Sequence, residues 1–204
     1  MQASLFLQSL WIGLAIAAPV GPIGVLVIQR TLHRGVRVGL ATGLGAAVAD
    51  AAYGAVGAYG VTGLIAWLQG ARVPLALAGG AFLLLLAWRT WWSEPPPAGG
   101  PALRSSRLWP TFAGAVALTL SNPATILSFV AVFGALTGGG APAAPGLMVA
   151  GVLAGSALWW LLLCSAVGVL RARFDARWQR RVGRASALML AAFALWQWGS
   201  LLAP

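Results

Sequence analysis

Lysine is absent from the 204-residue chain, only three side chains are acidic, and charged residues make up 8% of the whole. Ordinary soluble domains carry roughly a quarter charged residues, so there is too little charge here to solvate a globular surface. The single cysteine, Cys164, excludes a disulfide framework within one chain. Standing alone in an apolar run, it reads as a small buried side chain rather than a metal ligand. The single histidine, His33, lies in a basic connection and reads as a solvated loop residue. No Ser–His–Asp set, metal-ligand cluster or phosphate-cradling loop is present. The expectation is a protein that is not an enzyme, with no catalytic residue, cofactor or metal.

What the chain does have is apolar length. Hydrophobic residues make up 60% of the sequence, and mean hydropathy is +0.86. A helix needs ~20 apolar residues to cross the hydrocarbon core. Six such stretches occur, at 5–28, 39–68, 73–91, 109–136, 146–170 and 182–202. The first has no basic flank before it and runs on past its only plausible cleavage site, so it reads as a retained span rather than a signal peptide. Residues 94–108 hold a Pro/Gly/Ser-rich linker that cannot be helical throughout. It divides one membrane domain into halves, 1–93 and 109–204, of three spans each. The expected fold is an all-α integral membrane protein.

The formal charge of +10 comes from arginines clustered in short connections, which suits a bilayer surface and not a nucleic-acid groove. Twelve of the thirteen arginines fall in the first, third and fifth connections, and only Arg72 falls in the second. Cytoplasmic loops retain such residues, so both termini are expected outside. The run from Arg171 to Arg184 reads chiefly as a cytoplasmic retention signal, with a lipid head-group site as the alternative. Trp11, Trp67, Trp196 and Trp198 fall near the outer ends of spans, and Trp88, Trp91, Trp92 and Trp109 near the inner ends, where amphipathic rings gather. Trp159 and Trp160 lie nearer mid-span, as packing residues or as cavity lining.

Three spans per half means that the halves run in opposite senses. Setting Pro19 against Pro123 brings Asp50 close to Ser156, and GxxxG recurs as Gly39/Gly43 and Gly151/Gly155, a spacing that lets backbones approach. Pro19, Pro22 and Pro123 each lie deep within a span, where proline removes a backbone hydrogen bond. The carbonyls of Ala15, Ala18 and Thr119 are the ones expected to be freed. Gly21 and Gly24 loosen the first helix further, and Ser121 and Asn122 add polar groups to the fourth. Broken backbone at that depth needs protein or a water-filled cavity around it, and a restarting half-helix turns its positive end toward an anion. Paired breaks in opposed halves are the pattern of inverted-repeat transporters.

Asp50 is the one acidic residue within a span, since Glu94 and Asp175 lie in connections. It sits about 16 Å along its helix at about 1.5 Å per residue. An unpaired carboxylate there costs ~3 kcal/mol, which a proton, a polar cavity or an ammonium ligand relieves. His33 lies at a different depth and forms no dyad with it.

The segment APVGPIGVLVIQRTLHRGVRVGLATGLGAAVADAAYGAVGAYGV resembles the first third of the LysE/RhtB translocators, bacterial inner-membrane exporters of amino acids, and LTLSNPATILSFVAVFGAL resembles their fourth helix. Gly21–Pro22, Asp50 and Asn122–Pro123 are the matching positions. Many members carry Asn two residues after the Gly-Pro pair, where this chain has Gly24. The resemblance implies a secondary exporter of amino acids or similar small metabolites, driven by proton entry, in the bacterial inner membrane. Its partners would be a small-molecule substrate, protons and the lipid bilayer, and a homodimer is compatible with the fold. Two rivals remain: a carrier of a metal or inorganic ion, and a membrane scaffold or assembly factor that transports nothing.

Overall fold

The computed structural model describes residues 2–19, 21–59, 67, 70–93, 108–122, 125, 128–129, 132, 144–171 and 176–202. Its regular elements among these residues are seven helices: α1 (Gln2–Ala17), α2 (Pro22–Arg34), α3 (Val36–Ala58), α4 (Arg72–Trp91), α5 (Leu108–Leu120), α6 (Pro145–Arg171) and α7 (Ala176–Leu202). The linker at 94–107 and Pro123 lie outside the described residues.

α4 and α6 are each long and apolar enough to cross a membrane. α1 and α2 together form a third candidate, bent by 77° at the break between them. α5 is apolar but only 13 residues long. The break falls where the prolines place it. Gly21 caps α2 in an extended conformation, and Pro22 takes the first helical position, where its missing N–H costs nothing. α2 then meets α3 through Gly35 alone, whose φ of 96° is a region that L side chains rarely adopt.

Small and polar residues take many of the helix contacts, as they do between helices in a bilayer, alongside large apolar side chains such as Leu26, Leu83, Phe129 and Trp160. On α6, Gly151, Gly155, Ser156 and Cys164 are buried, whereas Leu161, Leu162 and Val169 are exposed. α6 packs against α1 and α3, α5 against α3, and α4 against α7. The glycines of both GxxxG pairs face these contacts. A Cβ at Gly43 would lie 2.5 Å from the Cβ of Trp160, and one at Gly155 would overlap the Leu10 carbonyl.

His33 departs from the expectation of a solvated loop residue. It lies within α2 and is buried, and its Nε2 is 3.1 Å from the carbonyl oxygen of Gln179. The cause is α7, which starts at Ala176, six residues before the expected span, and lays Gln179 and Gly183 over the histidine. Arg30, expected in the same connection, is also buried in α2 and donates to Thr42 Oγ1 at 3.0 Å.

Candidate functional site

The two interrupted helices open onto one cavity of about 320 Å³. From the first break come Pro19, Gly21, Pro22 and Gly24, and from the fourth span come Thr119, Asn122 and Thr125. Asp50 of α3 and Trp160 of α6 form further wall. Small-molecule pockets run from ~300 to 1,000 Å³, so the space suits a small metabolite.

Each break is managed differently. At the first, the Gly21 N–H turns back to Pro19 O at 2.9 Å, and regular bonding resumes with Val25 N–H to Gly21 O at 3.0 Å. The N–H groups of Ile23 and Gly24 precede that bond and have no helical acceptor, and both residues line the cavity. The positive end of the α2 dipole therefore faces the cavity. At the second break, Thr119 O was expected to be free; instead it accepts Asn122 N–H at 3.1 Å. Leu120 O is taken by the Tyr53 hydroxyl, which donates to it at 2.6 Å. Asn122 O then accepts from Thr125 N–H at 3.1 Å as the helix restarts.

Asp50 is 4% exposed. Ser156 donates its hydroxyl to Asp50 Oδ2 at 2.7 Å, and Trp160 donates Nε1–H to Ser156 Oγ at 3.1 Å. A hydroxyl that gives its only proton to a carboxylate and receives one from an indole is fixed in direction, so the chain Trp160–Ser156–Asp50 orients the acid. Thr119, 3% exposed, leaves its Oγ1 buried with no hydrogen-bond partner. It lines the same cavity, which gives an incoming polar group a place to bond.

Of the residues singled out from sequence, Asp50, Pro19, Gly21, Pro22, Gly24 and Asn122 share this cavity. Ser121 does not: its hydroxyl donates to Ala117 O at 2.7 Å, and it borders a void of about 10 Å³ beside Pro22. Pro123 lies outside the described residues. Trp160 lines the cavity, whereas Trp159 packs against the core. Thr119, expected only to free its carbonyl, also borders the cavity, as do Phe193 and Gln197, which were not singled out. A signal was present for Trp160, since Ser156 and Trp160 are one helical turn apart and Ser156 aligns with Asp50. Among the described residues no group of His, Cys, Asp and Glu is placed to hold a metal ion.

The LysE type translocator family matches the chain over residues 14–196, which takes in both breaks, Asp50, Ser156 and Trp160. The uncharacterized membrane protein YahN of Escherichia coli K12 is 32% identical over 174 residues, covering 83% of this chain and 78% of YahN. The chemotactic transduction protein ChpE of Pseudomonas aeruginosa PAO1 is 31% identical over 184 residues, covering 87% of this chain and 89% of ChpE. No solved structure matches the chain. With the family matched from within α1 to residue 196 in α7, the chain belongs to the LysE type translocators, a family of membrane transporters and not of enzymes.

Proposed function

We propose that the protein is a secondary-active exporter of amino acids or related small metabolites, working by proton antiport in the bacterial inner membrane. The observation that carries this reading is Asp50, the one buried carboxylate among the described residues, in one cavity with the unpaired N-terminus of α2. An α-carboxylate rests on the N–H groups at the start of α2, where the helix dipole favours an anion. The ammonium contacts Asp50. A proton and an ammonium compete for that one carboxylate, so cargo and proton occupy it in turn. Mutually exclusive occupancy is what exchange of one for the other requires.

The helix contacts support two inverted three-helix repeats. α1 packs on α6 as α5 packs on α3, and α4 packs on α7; exchanging the halves carries each pair into its counterpart. Six spans follow, with 94–108 as a cytoplasmic linker and both termini outside, in keeping with the arginine distribution. Rocking of the halves about the cavity alternates access. Pro19, Gly21, Pro22 and Gly24 shape the carboxylate end, with Ser121, Asn122 and Pro123 at the opposing break.

The test is export from cells stripped of their own amino-acid exporters. Expression should speed the loss of at least one amino acid to the medium, and a protonophore should abolish the gain. If no amino acid in a full panel leaves faster while the protein is present in the membrane, the reading is wrong.

A further inference from the structure

The cavity has a narrow allotment of charge. Apart from Asp50, no Asp, Glu, Arg or His lies within the spans except for arginines at their ends; residues 108–170 contain no charged side chain at all. Among the described lining residues Asp50 alone is charged. The anion-seeking groups are uncharged: the N–H groups of Ile23 and Gly24 and the orphan hydroxyl of Thr119. One negative point and one partial positive pole match the two charges of an amino acid's main-chain group, and both are then used.

The rest of the described wall is uncharged: Asn122, Thr125, Ser128 and Gln197 are polar, and the larger part of the surface is apolar. Ile16, Ala17, Trp160, Phe193 and Trp196 line the apolar part, and Gly24 contributes no side chain. A second ammonium on the cargo would meet no carboxylate, and a second carboxylate no cation. An uncompensated charge at this depth weakens binding by on the order of 100-fold. Each side-chain methylene placed against the apolar part, by Ile16, Trp160 and Phe193, strengthens it about fourfold.

Building on the exporter reading, we propose that the cargo is a neutral amino acid with a long apolar or aromatic side chain, and that basic and acidic amino acids are excluded. The lining makes Trp160 and Phe193 side-chain contacts, while Asp50 is spent on the ammonium.

Counterflow of radiolabelled norleucine into proteoliposomes of the purified protein tests this. Norleucine matches lysine in length without the second charge. Competition should tighten about fourfold per step along alanine, 2-aminobutyrate, norvaline and norleucine. Lysine and glutamate should compete roughly 100-fold more weakly than norleucine. Equal competition by lysine or glutamate, or a flat response along the series, overturns the proposal and leaves the exporter reading standing. If none of these amino acids, charged or neutral, exchanges, both fall together.

Discussion

Ser156 Oγ lies 2.7 Å from Asp50 Oδ2, and this bond joins α3 of the first half to α6 of the second. Both groups are buried, at 0% and 4% exposure, so their partners must come from protein or cargo and not from bulk water. The acid that the mechanism needs is thus held by a residue of the opposing half.

Ser156→Ala removes a donor from Asp50 and an acceptor from Trp160 at once. Leaving buried polar groups unpaired costs about 1–3 kcal/mol, so thermal unfolding in detergent should occur at lower temperature. The pH profile of transport should also shift, because the carboxylate loses a hydrogen bond to its charged form. Ser156→Cys, nearly isosteric but a weak donor, should fall between the two. An unchanged profile in Ser156→Ala would show that the bond does not orient the acid.

Glycine substitutions should separate a packed contact from an open one. A Cβ at Gly155 would overlap the Leu10 carbonyl of α1, whereas one at Gly199 meets nothing within 4 Å. Gly155→Ala should cost about 1–3 kcal/mol by forcing the helices apart. Gly199→Ala, in the exposed last turn of α7, should be neutral or stabilising by up to ~1 kcal/mol. Equal unfolding temperatures for the two variants would contradict the α1–α6 contact.

Topology can be read with single cysteines, since the one native thiol, Cys164, is buried. In intact cells a membrane-impermeant thiol reagent should label cysteines placed at 140 or near either terminus. It should leave one at Arg177 unlabelled until the membrane is broken. Labelling of Arg177→Cys from outside would reverse the proposed orientation.

The first break and two helix starts were legible in the sequence, because proline and glycine punctuate them, whereas α3 ends at Ala58, ten residues before the expected span does. Pro19, Gly21 and Pro22 marked the first break, and α4 and α6 begin within one residue of the expected spans. Asp50 was conspicuous as the one acid within a span. The buried setting of His33 was not foreseen, because composition alone treats an arginine-rich stretch as a loop. The missing signal was periodicity: Gln179, Gly183, Ser186 and Leu190 are buried at helical spacing, with Arg177, Arg180, Arg181 and Arg184 on the exposed face. Thr119 and Phe193 could not be assigned to the cavity, since tertiary packing decides which face of an apolar helix turns inward. Thr119 O found its Asn122 donor through a local turn that proline counting does not anticipate.

The central claim is that Asp50 carries the exchange of proton for cargo. Asp50→Asn keeps volume and hydrogen bonding and removes charge and titration, and the neutral amide is no costlier to insert. The deciding measurement is cargo flux driven by an imposed pH gradient in proteoliposomes, wild type against Asp50→Asn, at matched protein content. The account predicts normal membrane insertion of the variant and loss of gradient-driven flux, with partial retention in Asp50→Glu. Wild-type flux with unchanged pH dependence in Asp50→Asn would make Asp50 a structural residue and contradict the mechanism.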